Sequence, residues 1–435
     1  MSIKNYKLFN VILIIIVSIS CGKEKEQIKN SSPNCLIISP LDGDEIKVGE
    51  KVNILVEATD TDGTITEIHF YINDIYIGVD REYPYEFIWD TASRDIGLYS
   101  IKIKAIDNQE AEAINTIVVS IVNAPISEFT AEQTEIFREG TVQFEDKSTN
   151  NPTSWSWDFD NDGIVDATTK NPTHTYVKAG VYAVSLETSN DFGKNKIIKE
   201  EFIKVNIEYG SVIDYEGNIY TTVKIGDQWW MMENLRSTKY SDGTSIPHVF
   251  DNDEWLMLSD NNNDFAYCFY NNDPSLNYGA LYTYAAVVRG VPYDGSSHVK
   301  GISPDGWHIP SQEEWLELQN YLAANGYNYD GTIGENKINK SLASNHGWVE
   351  STSIGDAGYN QENNNSSGFT ALPSGYKGNV NGRSIGAGYT AGWWSSSQRD
   401  SKWAQHIAIH QYFSGLDCYD GRRKAVGYSV RCVKD

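Results

Sequence analysis

Three stretches of this chain hold side chains whose type and spacing suit chemistry. The first is Asp158-Phe-Asp160-Asn-Asp162-Gly163, with Asp166 close behind. Alternating carboxylates closed by a glycine open a twelve-position calcium loop, in which Asp166 takes the ninth place. The twelfth place is Thr169, where a bidentate Glu is needed. No helix-period segment flanks the loop, so the full motif is absent. The expectation is a lighter Ca²⁺ site on Asp158, Asp160, Asp162 and Asp166, set against an acidic turn closed by its own hydrogen bonds. The second stretch holds His406 and His410, four apart on a segment with strand pattern. Four strand steps span about 13 Å, too far to share one metal. The third runs from Trp403 to Arg423 and offers Trp403, Tyr412, Asp417, Tyr419 and Arg422. Aromatic faces beside polar groups suit sugars and protein surfaces alike; the competing reading is that they pack and solvate a loop. There is no His-Glu-x-x-His and no phosphate loop, so the chain is expected not to be an enzyme.

The elements around these residues are mostly short strands. Val52–Val56, Ile68–Ile72 and Ile101–Ala105 are strand-like runs, separated by the turn signals Asp62-Gly63 and Asn73-Asp74, which indicates a β-sandwich. A second unit echoes the first: Gly180-Val-Tyr182 repeats Gly97-Leu-Tyr99 at an offset of 83 residues, the size of one immunoglobulin-like sandwich. Tyr99 and Tyr182 are placed as in a tyrosine corner. From about Tyr209 the texture changes. Gly217-Asn218 and Gly226-Asp227 divide a three-strand meander. A helix is expected over Gly279–Val288. A stronger one begins at Ser311, where Ser311 and Glu314 form a capping box ahead of Trp315, Leu318 and Leu322. A third is expected over Gly334–Ala343, and strands return at Trp393–Ser397, Gln405–Gln411 and Val426–Val433.

The chain has 435 residues and a net charge of -24, enough length for three domains and the wrong charge for a phosphate backbone, so nucleic-acid binding is excluded. Lys4 and Lys7 precede an apolar run, Leu8–Ile19, too short to span a bilayer and of signal-peptide length. Ser20-Cys21-Gly22 at its end resembles a lipobox, although Ser18 stands where Leu is usual. The resemblance implies lipidation of Cys21, a membrane partner through that N-terminal lipid, and a place in the cell envelope, at the outer membrane on its surface or periplasmic face. The polar stretch Gly22–Asn34 reads as a tether and is similar to export signals of Bacteroidetes lipoproteins.

Trp155-Ser-Trp157-Asp158-Phe159-Asp160, Asn171-Pro-Thr-His-Thr-Tyr176 and Ala179-Gly-Val-Tyr182 together resemble a PKD domain, and the unit before it resembles bacterial Ig-like domains. Trp229-Trp-Met-Met-Glu-Asn-Leu235, Tyr278-Gly-Ala-Leu-Tyr282, Gly306-Trp-His-Ile-Pro-Ser311, Glu314-Trp315, Phe369-Thr-Ala-Leu-Pro373, Trp393-Trp-Ser-Ser396 and Ser429-Val-Arg-Cys-Val433 occur in order and resemble the Fibrobacter succinogenes major paralogous domain. That family implies a C-type-lectin-like fold. The expected layout is multidomain, with two all-β immunoglobulin-like sandwiches followed by an α+β C-type-lectin-like domain. Its bounds are a signal peptide over 1–20, a lipidated tether over 21–36, an Ig-like domain over 37–123, a PKD domain over 124–206 and the lectin-like domain over 207–435. Lectin-like domains commonly staple their last strand, which implies a partner for Cys432, with Cys268 the first choice and Cys418 the second. Neither Glu-Pro-Asn nor Gln-Pro-Asp occurs, so Ca²⁺-dependent sugar binding of the lectin kind is not supported. Formylglycine-generating enzymes share the fold, but Cys418 and Cys432 match their reactive pair poorly. The implied function is a stalk presenting a head to carbohydrate or surface-protein ligands, or alternatively a structural part of an envelope assembly.

Overall fold

The computed structural model describes residues 29–435, apart from the side chains of Tyr419 and Asp420. Cys21 and the apolar leader lie outside the described residues. Two compact units are found, one reaching to Ala124 and the other holding most of the rest.

The first unit is a sandwich. Asn34–Ser39, Lys51–Thr59 and Tyr85–Asp90 make one sheet; Glu45–Lys47, Glu112–Val122, Gly97–Asp107, Ile65–Ile72 and Ile75–Asp80 make the other. The period-2 alternation read in the sequence is what closes it: Ile54, Ile68, Phe70, Ile101, Ile103 and Val119 are fully buried between the sheets. The Tyr99 hydroxyl donates to the Asp95 carbonyl at 3.0 Å, the expected tyrosine corner.

The second unit begins with another sandwich. Its four-stranded sheet runs Glu135–Phe137, Gly193–Asn206, Gly180–Asn190, Ser154–Asp158, and its three-stranded sheet Thr173–Tyr176, Gly140–Asp146, Phe129–Ala131. Phe129, Phe144, Trp157 and Phe159 fill it with tilted and edge-on ring contacts. Tyr182 repeats the corner, donating to the Lys178 carbonyl at 2.9 Å.

In the same unit, the C-terminal domain is mixed α+β. Its five-stranded sheet has the order Tyr209–Ile213, Ile219–Ile225, Gln228–Met231, Val433–Lys434, Trp307–His308, so the first strands of the domain pair with its last residues. A second sheet joins Thr390–Gln398, Trp403–His410 and Asp417–Arg423. Helix Gln312–Ala324 carries the predicted capping box and buries Trp315, Leu318 and Leu322. Three sequence expectations need correction. Gly279–Val288 is not one helix. Ala280–Tyr282 pairs as a strand with Tyr267–Phe269, and Thr283 then caps a short helix, Tyr284–Val288, by accepting from the Ala286 N–H. The helix expected over Gly334–Ala343 is only Asn339–Leu342, and Gly334, at a left-handed φ of 86°, cannot begin it. Of the strand expected over Val426–Val433, only Val433–Lys434 is regular; Gly427, Tyr428 and Ser429 make isolated bridges to three different segments.

The PKD-like sandwich docks onto this domain. Arg138 donates to the Ser367 carbonyl at 2.9 Å, to the Tyr327 hydroxyl at 3.3 Å and to the Lys224 carbonyl, while Tyr327 donates to the Val177 carbonyl at 3.1 Å.

Candidate functional site

The acidic turn of the PKD-like sandwich is built by its strand. Ser154–Asp158 pairs with Gly180–Asn190 and buries Trp157, which fixes Asp158 where the strand ends. Asp158 is 4% exposed, and its carboxylate accepts from the Asp162 N–H (3.2 Å) and Gly163 N–H (3.0 Å). Asp166 folds back to accept from the Phe159 N–H at 2.7 Å. Carboxylate oxygens of Asp158, Asp160 and Asp166 lie within 4.8 Å of one another. Burial, then the neighbouring carboxylates Asp162, Asp166 and Asp158, hold the Asp160 carboxyl above its ordinary pKa. Oxygens so spaced match a hard cation bound at about 2.3–2.6 Å from each, so the cluster is able to hold a metal ion. Asp162 stands apart from the three: its carboxylate accepts from the Ile164 N–H at 2.8 Å, as a local turn requires.

The residues expected at a ligand face do not form one site. Trp403 pairs with Arg423, while Asp417 pairs with Ala408, so Trp403 and Arg422 stand about 17 Å along the strands from Asp417. Trp403 lies under the Arg423 guanidinium at 5.3 Å, and Arg423 pairs with Asp260 at 2.8 Å. The Tyr419 side chain lies outside the described residues. Tyr412 does stand on the surface, 68% exposed, and its neighbours are two aromatics the sequence reading missed, Tyr389 (45%) and Phe413 (54%). The Gln411 N–H donates to the Tyr389 carbonyl at 2.9 Å, and Thr390 pairs with His410, so the end of one strand pair delivers all three. Register, which no local pattern reveals, is what joins residues 389 and 412. His406 and His410 lie on a strand as expected. Burial lowers the pKa of both rings.

The motifs that carried the family resemblance lie inside. Asn234 donates to the Tyr278 carbonyl (2.8 Å) and the Ser429 hydroxyl (3.2 Å), and accepts from Trp393 Nε1 (2.8 Å) and Arg431 Nε (3.2 Å). Arg431 is wholly buried, stacked at 4.2 Å on Phe369, and donates to the carbonyls of Met231, Phe369 and Thr370. Burial draws its pKa down to about 9, which leaves the guanidinium charged at neutral pH. These residues assemble the core, so the ligand face must be sought in the loops.

The four described cysteines are free, and the expected Cys268–Cys432 disulfide is not formed. Cys268 sits in a small cluster with Trp255 and Leu281, whereas Cys432 belongs to the main core with Tyr282 and Val430. Burial raises both thiols, Cys268 to about 12.

His298, His308 and Asp435 form a second close group. The two imidazoles stack nearly parallel, 3.9 Å apart at 16°. Their in-plane lone pairs run side by side and do not converge on one ion. His308 is instead bridged by Glu314 (2.6 Å) and Asp435 (2.8 Å), an arrangement that suits an imidazolium.

Two β-sandwiches ahead of a mixed α+β domain define a modular, multidomain protein. Residues 33–103 match the bacterial Ig domain family, residues 122–205 the PKD domain family and residues 223–434 the Fibrobacter succinogenes major domain family, which gives the chain its domain composition. This layout fits a modular extracellular binding protein. No curated protein matches the chain. Similar solved structures include the fibronectin(III)-like modules of Clostridium thermocellum CbhA, at 17% identity over 40% of this chain and 95% of that one, with TM-score 0.22. The endo-β-1,4-mannanase from Thermotoga petrophila is 22% identical over 22% of this chain and 21% of that one, with TM-score 0.18. The N-terminal four Ig domains of Dscam1 isoform 6.9 are 15% identical over 41% of this chain and 47% of that one, with TM-score 0.26. The chain thus spans about half of the Dscam1 chain and about a fifth of the mannanase.

Proposed function

We propose that this is a lipid-anchored protein of the bacterial cell envelope, held by Cys21 at the outer membrane, whose lectin-like C-terminal domain binds carbohydrate or surface-protein ligands without catalysis. The observation that carries the reading is that exposed Tyr389, Tyr412 and Phe413 are all delivered to one end of the C-terminal domain's second sheet. Aromatic rings kept in water cost solvation unless a partner covers them, and rigid rings suit both sugar faces and protein loops. The acidic turn of the PKD-like sandwich is read as a Ca²⁺ site that stiffens the sandwich carrying the head.

A glycan array and a surface-protein array probed with the full chain in detergent test this. Binding is expected on one of them, and Tyr389→Ala with Tyr412→Ala should weaken it at least tenfold. No binding on either array refutes the reading; binding that ignores both substitutions takes the ligand face away from these aromatics. Cys21→Ser should release the chain from membranes; unchanged membrane retention refutes the anchor.

A further inference from the structure

A cleft of about 370 Å³ opens where the PKD-like sandwich meets the C-terminal domain. Its lining is unlike the surface of a chain with net charge -24. Lys178 reaches it from the sandwich and Lys340 from the C-terminal domain, joined by Tyr329, Tyr359, Asn360 and Asn363, with no carboxylate among the lining residues. A neighbouring cleft at the same junction is lined by Glu139, Asp227, Glu313 and Glu317, so freedom from acid is local to this one.

Each lysine is placed by the fold. Lys178 lies over the Tyr327 ring at 5.8 Å, next to Gly326, whose hydrogen in place of a side chain leaves room for the ammonium. Lys340 donates to the Tyr359 carbonyl and stands 5.7 Å from that ring's centre. Burial lowers the Lys340 pKa, and Glu362 and Asp356, which do not line the cleft, act against that lowering. An ammonium has three donors, so Lys340 keeps N–H groups for a ligand. Tyr329 is 38% exposed at the rim. Asn360 and Asn363 are exposed and place amides beside it.

We propose that this cleft binds an acidic saccharide, with Lys178 and Lys340 taking the sugar carboxylate, Tyr329 and Tyr359 its apolar ring face, and Asn360 and Asn363 its hydroxyls. The volume is in the range of small-ligand sites. Long polyanions are disfavoured by the charge of the whole chain, whereas a short sugar acid meets only the local field. This inference rests on the ligand-binding reading above and names the ligand class and a distinct face for it.

Titration calorimetry on the full chain in detergent tests it with three probes: a short galacturonate oligomer, a neutral galactose oligomer of equal length, and inorganic sulfate. The galacturonate oligomer should bind, more weakly as salt rises, and at least tenfold more tightly than the neutral oligomer. Sulfate should compete weakly. Lys178→Gln, on the sandwich side, and Asn363→Ala should each weaken binding about tenfold or more with melting unchanged; Lys340→Gln should do the same, with melting recorded to separate loss of the Tyr359 contact. Equal binding of both oligomers, sulfate binding as tight as the sugar acid, or indifference to Lys178→Gln and Asn363→Ala overturns the proposal. Neutral-sugar binding that depends on Tyr389 and Tyr412 overturns this site while sparing the general reading. Galacturonate binding insensitive to those two tyrosines supports this site and removes only the two tyrosines from the ligand face.

Discussion

Replacing Arg431 probes what holds the C-terminal domain together. In Arg431→Met the side-chain volume is roughly kept, but the carbonyls of Met231, Phe369 and Thr370 lose their donor in a dry core. Each orphaned acceptor costs about 1–3 kcal/mol, so three give roughly 3–9 kcal/mol. The ring contacts with Phe369 and Trp393 add about 1–2 kcal/mol more. A domain stable by about 5–15 kcal/mol would unfold or approach unfolding. Arg431→Lys keeps the charge without the planar fork and should lie between, with loss of about 2–4 kcal/mol. Urea unfolding of the full chain checks this, followed by hydrogen exchange of the strand Thr390–Gln398 so that the sandwiches' transitions are read separately. A methionine variant as stable as the parent would refute the reasoning. It would mean that ridding the core of a buried cation outweighs the orphaned carbonyls, as happens in some proteins.

Adding 10 mM Ca²⁺ should raise the melting point of the PKD-like sandwich. At a dissociation constant of about 0.1–1 mM the gain is roughly 1.4–2.7 kcal/mol, and Asp158→Asn should abolish it; a calorimetric scan without a shift counts against the site. Burial opposes charging of His308, yet Glu314 and Asp435 more than reverse it and raise its pKa. Its contribution to stability is therefore full below about pH 6.5 and is lost as pH rises through the raised value, so melting of the C-terminal domain should fall as pH is taken upward from about 6.5. In His308→Gln that slope should flatten; an unchanged slope would assign it elsewhere. Arg138→Ala should speed proteolysis between residues 206 and 209, where the sandwich joins the C-terminal domain, with both domains still folded; unchanged cleavage would deny Arg138 a holding role.

The sequence made the sandwiches and the capped helix legible because their signals are local: period-2 alternation, turn residues, and Ser311 followed by Glu314. It also marked Asp158, Asp160 and Asp166, since a turn brings near neighbours together. It misplaced Asp162, whose carboxylate chose the nearest N–H. Residues that depend on register were beyond it, so Trp403 and Asp417 were grouped though they stand at opposite ends of the hairpin, and Tyr389 was not joined to Tyr412. The helix expected over Gly279–Val288 failed because cross-strand pairing with Tyr267–Phe269 outweighed helix propensity. The Cys268–Cys432 pairing, implied by the resemblance to lectin-like domains, failed because the two thiols are buried in different clusters.

The Arg138 contact has a mechanical side. The strand Gly193–Asn206 leads directly into the C-terminal domain, and Glu135–Phe137, immediately before Arg138, pairs parallel with its end. Tension applied to the C-terminal domain therefore reaches the sandwich by two routes, through the covalent strand and through the guanidinium seated among the Lys224 and Ser367 carbonyls. Adjacent parallel strands pulled along their length share load in shear, so the joint resists extension more than the connecting residues alone would.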